Sequence, residues 1–190
     1  MTQTQTQAKA ASTKVVTGKV RFSYEHVFKP QAASEGAEPK YSVCLLIPKT
    51  DRQTVDEIEA AIAAAKRAGA SQWGGKIPAG LKLPLRDGDE ERPERPEYRG
   101  MYFINASSKQ KPNVVNSVNQ PILEPTEFYS GCYGRVSINF YPFNMAGNRG
   151  VGAGLNNVQK LSDGESLTGR ATAEEDFGDC RDEDDDDPLA

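Results

Sequence analysis

One histidine, one tryptophan and three cysteines in 190 residues leave few of the parts from which a catalytic centre is ordinarily built. His26 has no second histidine with which to share a metal, and Cys44, Cys132 and Cys180 include no pair at the two-residue spacing of zinc or redox motifs. Catalytic zinc sites and Ser–His or Cys–His triads therefore lack their usual components. No G-x-x-x-x-G-K-[ST] loop is present, so a P-loop nucleotide site is unsupported. No run approaches the roughly 18 apolar residues of a membrane span, and "MTQTQTQAKAAS" has no apolar stretch behind a basic start. The expectation is a protein of a reducing cytosol, with Cys44 and Cys132 as small apolar packers and with no metal or cofactor.

What is present is an uneven distribution of charge. Residues 1–173 carry 22 Lys and Arg against 17 Asp and Glu, a net +5, whereas residues 174–190 carry one Arg against ten acids, a net −9. A mildly basic body joined to a strongly acidic tail points to a polyanion-binding body and an interaction tail, though such tails also serve as solubilising segments.

The length suits one domain with tails. Residues 1–13, rich in Gln, Thr and Ala, bury too little surface to offset ordering entropy and are expected to be a disordered arm. Over 14–28, Val16, Val20, Phe22 and Tyr24 fall on one side of a strand, with Thr17, Lys19, Arg21 and Ser23 on the other. The same alternation puts His26 on the apolar side, as a structural histidine. Residues 41–47, "YSVCLLI", are apolar on both faces and predict a strand covered on both sides. A helix follows, started by Thr50 with Gln53 as a capping box and stopped at Gly69, with Val55, Ile58, Ile62 and Ala65 as its apolar stripe. Residues 70–97 are dense in Gly, Pro and charge and read as a long functional loop. Strand patterns return over 98–107, 131–143 and 149–161. Several strands, one inserted helix and long loops predict a mainly β small barrel.

Several stretches could carry chemistry. Asp87, Asp89, Glu90 and Glu91 lie together, as two-metal nucleases require of their carboxylates, but they are consecutive in a Pro- and Arg-rich loop and read as a solvated turn. In "CYGRVSINFYPF", Val136, Ile138 and Phe140 should face the core, leaving Tyr133, Arg135, Ser137, Asn139 and Tyr141 together outside. Rings for bases and a guanidinium for phosphate are what sequence-tolerant single-strand binding needs. Lys19 and Arg21 on the first strand, with Lys109 and Lys111 in "SSKQKPN", add to that reading. Trp73, in "QWGGK", either reaches over a base or anchors its loop. Gly150, Gly152 and Gly154 give one strand a face without side chains, which permits close approach of a ligand or of a neighbouring strand.

Taken in order, "LPLRDGDEERPERPEYRGMYFINASSKQKPNVV", "GCYGRVSINFYPFNMAGNRGVGAGLNNVQKLSDGE" and "AEEDF" resemble a family of phage-encoded single-stranded DNA-binding proteins. The resemblance covers about residues 14–177. It implies an oligonucleotide/oligosaccharide-binding (OB) fold, a Greek-key barrel, spanning 14–173 and coating DNA exposed during phage replication or recombination in the cytoplasm of the infected bacterial host. It does not assign individual DNA contacts. The acidic tail, 174–190, is similar to the tails of bacterial and phage single-strand binding proteins, in which carboxylates precede an apolar tip that docks on partner enzymes. Here Asp182, Glu183, Asp184, Asp185, Asp186 and Asp187 lead to Pro188, Leu189 and Ala190, with no terminal Phe.

The residues and the resemblance together predict a non-catalytic single-stranded DNA-binding protein. Lys19, Arg21, Lys109, Lys111 and Arg135 would neutralise phosphates, and Tyr133, Tyr141, Tyr102 and Trp73 would stack bases. The tail would compete with DNA or recruit replication and recombination proteins, and the body could form a homo-oligomer through an open strand edge. Two other classes stay open: a metal-dependent nuclease using Asp87, Asp89 and Glu90, and a protein-interaction adaptor whose tail mimics nucleic acid.

Overall fold

Val43, Cys44, Leu45, Leu46 and Ile47 are all buried, and the strand they form is covered on both faces, as its unbroken apolar run requires. A computed structural model describes residues 12–168. The acidic tail, and all but the last two residues of the arm, lie outside the described residues. Of those two, Thr13 accepts a backbone hydrogen bond from Phe140 at 2.9 Å.

The elements in chain order are β1 (Lys14–Val16), β2 (Val20–Gln31), β3 (Lys40–Pro48), α1 (Arg52–Gly69), β4 (Arg86–Asp87), α2 (Gly88–Glu91), β5 (Met101–Ser108), β6 (Asn113–Val115), β7 (Tyr133–Met145) and β8 (Asn148–Ser162). Strands β2, β3 and β5 pair antiparallel in turn, β5 meets β8 in parallel, β8 pairs with β7, and β7 returns to β1 and β2. The circuit closes into a barrel, which removes most open strand edges.

The strand expected over 14–28 is present but broken. Between β1 and β2 the Gly18 amide donates to the Thr54 hydroxyl of α1 at 2.9 Å, and this tie shifts the alternation. Val15 is therefore buried and Val16 faces outward, the reverse of the expected arrangement, while Thr17 is fully buried. A second irregularity follows: Tyr24 has φ of 46°, and the β2–β3 register shifts between Ser23 and His26. Val20 and Phe22 point inward as expected. Past the bulge, Tyr24 turns out, Val27 takes the interior position, and His26 is only half-buried instead of on the apolar side.

Helix α1 ends at Gly69 as read, and Val55, Ile58, Ile62 and Ala65 are buried against the barrel. Its cap lies one residue later than expected: Asp51 accepts the Thr54 amide at 3.2 Å, in place of the Thr50–Gln53 box. The 70–97 segment is loop with three short pieces of helix or turn and the two-residue β4, which pairs with β5. No described helix is long and apolar enough to cross a membrane.

Candidate nucleic-acid interface

The pairing register places one row of outward side chains across five strands. Tyr133 of β7 lies opposite Arg21 of β2, Arg21 opposite Leu46 of β3, Leu46 opposite Phe103 of β5, and Phe103 opposite Arg86 of β4. Neighbouring strands are about 4.8 Å apart, so the row extends over roughly 19 Å. Both ends are cations against rings: Lys19 Nζ and Arg21 Cζ stand 5.1 and 5.4 Å from the Tyr133 centroid, and Arg86 Cζ stands 4.9 Å from that of Phe103.

The apolar middle of the row forms a second small core. Cys44, Leu46, Tyr98 and Phe103 are buried together, with Met101 and Leu167 packed against them. Tyr98 meets Phe103 edge-on at 5.2 Å. The Cys44 thiol is pushed up to about 11, chiefly by burial, although Arg92, Arg86 and Arg95 oppose the shift. Arg86 and Arg95 cover this small core directly, with their guanidinium carbons 4.9 Å from the Phe103 centroid and 5.9 Å from that of Tyr98. Beside them Tyr24 stands 53% exposed, with the Arg95 guanidinium 5.4 Å from its ring centroid and hydrogen-bonded to its hydroxyl. A non-glycine residue at positive φ is strained, and strain of this kind concentrates at binding sites. Tyr24, Arg86, Arg92 and Arg95 are absent from the sequence-derived set: alternation put Tyr24 inside, and the three arginines lie in a loop whose acidic and proline content dominated its reading.

Of the predicted residues, Lys19, Arg21 and Tyr133 come together at one end of this row. Arg135 follows two positions along the same outward side of β7, exposed, with its Nε donating to the Thr17 carbonyl at 3.1 Å. Tyr141, further along, is 42% exposed. A Cβ at Gly152 would lie 2.6 Å from its ring, so this glycine is the seat on which the tyrosine lies. That close approach, by a neighbouring strand, is one of the two readings of the alternating glycines.

The remaining predicted residues lie elsewhere. Lys109 pairs with Glu38 at 3.0 Å, both exposed, and Lys111 Nζ stands 5.6 Å from the Phe28 ring; both belong to the loop between β5 and β6. Tyr102 is half-buried in a cleft where Lys66 and Arg86 stand among Glu59, Asp87, Glu90 and Glu91, with Lys49 Nζ 5.1 Å from its ring. Trp73 is only 6% exposed, and its indole donates to the Phe143 carbonyl at 3.2 Å. It anchors the loop after α1, and its ring is not available to a base. The tail residues Asp182 to Leu189 lie outside the described residues.

The acidic turn is bound internally. Lys49 Nζ contacts Asp87 at 2.7 Å and Asp89 at 2.8 Å, Asp87 also accepts the Asp89 amide, and Asp89 accepts the Gly100 amide at 3.0 Å. The Lys49 hydrogen bond holds both carboxyls below the usual range. Among the described residues no cluster of three or more His, Cys, Asp or Glu suits a metal ion.

An OB-like barrel with a cationic, ring-bearing outer face is the architecture of a single-strand nucleic-acid-binding module. The family described as "Enterobacter phage Enc34, ssDNA-binding protein" matches residues 13–189, and the chain belongs to that family. The putative protein p50 of Acyrthosiphon pisum secondary endosymbiont phage 1 is 32% identical over 177 residues, covering 87% of this chain and 93% of that one. The single-stranded DNA-binding protein of bacteriophage Enc34, solved in complex with ssDNA, is 30% identical with a TM-score of 0.72, covering 81% of this chain and 89% of that one. The single-stranded DNA-binding protein gp2.5 of bacteriophage T7 shares the fold at 18% identity and a TM-score of 0.59, covering 90% of this chain and 96% of that one.

Proposed function

We propose that this protein binds single-stranded DNA without chemistry, coating strands exposed during phage replication or recombination in the cytoplasm of the infected host. The row from Tyr133 and Arg21 to Arg86, on the outside of a barrel whose solved relative is complexed with ssDNA, carries this reading. Lys19, Arg21, Arg86, Arg92, Arg95 and Arg135 neutralise phosphates, and Tyr24, Tyr133 and Tyr141 stack bases. Lys109 and Lys111 extend the cationic surface at its margin.

The acidic tail competes with DNA for this face and is free, when displaced, to recruit a partner. What supports this is the route of the chain: Leu167 packs against the cluster of Cys44, Leu46, Tyr98 and Phe103, and Glu174 is seven residues further on. Seven extended residues reach at most roughly 25 Å, which brings the −9 segment within range of the arginines.

Titrating labelled oligo-dT against duplex competitor at two salt concentrations tests the proposal. Affinity for the single strand should fall with a log–log slope of about −0.7 per neutralised phosphate. Preference for duplex would overturn it. Labelled single strands incubated with Mg²⁺ or Mn²⁺ should stay intact, because Asp87 and Asp89 are engaged by Lys49; cleavage lost in Asp87→Ala would establish a nuclease instead.

A further inference from the structure

On the outward side of β7 and β8, between the flanking strands β1 and β6, lies a hollow of about 180 Å³. This is below the roughly 300–1,000 Å³ of drug-sized sites and suits a single ring system. Val16 of β1 and Val115 of β6 form apolar flanks. Val16 is 48% exposed because of the break between β1 and β2. Ser137 lines the hollow, is 8% exposed, and its hydroxyl is the one buried side-chain polar atom among the described residues with no hydrogen-bond partner. A buried hydroxyl without a partner carries a desolvation cost that a ligand would relieve.

The surrounding polar groups are only half used. Gln159 Nε2 donates to the Asn116 carbonyl at 3.3 Å and to Asn119 Oδ1 at 3.0 Å, and Asn157 Oδ1 accepts from Asn113 at 2.9 Å. Among the described residues, the side-chain Nδ2 atoms of Asn119 and Asn157 and the terminal nitrogens of Arg135 make no hydrogen bond, while Asn119 Oδ1, Asn157 Oδ1 and Arg135 Nε each do. No acidic residue lines the hollow. The free groups are mainly donors, which pair with carbonyl oxygens, and one of them is a cation that pairs with phosphate.

From this set we infer a nucleobase subsite: the hollow takes one base between Val16 and Val115, and thymine, with two carbonyl oxygens against one in guanine or cytosine and none in adenine, offers these donors the most acceptors. Ser137 and Asn157 hydrogen-bond the base edge, and Arg135 holds the adjoining phosphate. The inference rests on the single-strand reading above and adds a second segment to the strand's path. From the Tyr133–Arg21 end of the cationic row, DNA runs along β7 past Arg135. Adenine, which has no carbonyl, satisfies fewer of these donors, so the subsite favours thymine over adenine.

The test uses the full chain. Oligo-dT carrying 5-iodouracil should cross-link to peptides of β1, β6 or β8 that line the hollow. Val16→Trp, at an exposed edge position where folding is little affected, should obstruct it. That variant should lower oligo-dT affinity about tenfold, within the range one stacked base contributes, while oligo-dA affinity changes little. Cross-links confined to the β2, β3 and β5 face, or an unchanged dT-to-dA ratio in Val16→Trp, would overturn the subsite and leave single-strand binding standing. Failure of the unaltered protein to bind any oligonucleotide would overturn both.

Discussion

Arg21 of β2 donates from Nη2 to the Glu165 carbonyl at 2.7 Å, while its Nε donates to the Gly131 carbonyl at 3.1 Å. One cation of the candidate interface thus holds down the last described segment of the chain. Backbone crowding shows how closely that segment lies: a Cβ at Gly131, where φ is +122°, would meet the Glu165 carbonyl at 2.0 Å. The Leu167 amide continues the strap by donating to the Ser130 carbonyl at 2.8 Å. The last described segment and the candidate interface therefore share residues.

Deleting residues from Glu174 onward should tighten single-strand binding at low salt, because a tethered −9 segment is a competitor at high effective concentration. The gain should shrink near 0.1 M salt, where the Debye length is about 10 Å. Equal affinities for the full and truncated chains in low salt would leave recruitment or solubility as the tail's role.

Tyr24 separates binding from folding. Tyr24→Gly removes the ring but suits the positive φ, so thermal stability should hold or rise while oligonucleotide affinity falls by roughly 1–3 kcal/mol. Arg95→Ala should weaken binding in the same assay. Unchanged affinity in both variants would remove this corner from the interface.

Trp73 behaves in the opposite way. Trp73→Ala should cost about 3–5 kcal/mol of stability, as large aromatic truncations in cores do, with little effect on the affinity of the protein that remains folded. As the sole tryptophan, buried and hydrogen-bonded, it should also show little quenching when DNA is added. Strong quenching would place it at the interface after all.

Glu25, next to Tyr24, supplies a pH signature. Burial pushes its carboxyl up to about 7 from 4.5, opposed by the Val27 amide. The native state holds this proton more tightly than the unfolded state, so its contribution is full below about pH 4.5, declines as pH rises, and is lost above about pH 7. Denaturant unfolding of Glu25→Gln across this window should show a flatter dependence than the unaltered protein. A slope identical in both would assign the effect to another group.

Much of the β7 side was legible in advance. Val136, Ile138 and Phe140 are buried while Arg135 and Tyr141 are exposed, because strand alternation is a local property; Ser137, expected outside, is buried where the register with β8 shifts between Ser137 and Ile138. The helix stripe and its stop at Gly69 were legible for the same reason: both are local. Alternation failed at Val16 and Tyr24, where a tie from Gly18 to α1 and a residue at positive φ reset the phase.

By itself the sequence determined the class of fold, the division into a basic body and an acidic tail, and the outward side of β7, since periodicity and charge are properties of neighbouring residues. Only the tertiary structure decided that Arg21, separated from Arg86 by most of β2, β3 and α1, shares one row with it. It also decided that Trp73 is an anchor, that Lys49 takes up Asp87 and Asp89, and that Ser137 faces a hollow without a partner. Strand register and loop docking arise from long-range pairing, and no local pattern in the chain encodes which distant residue will lie opposite.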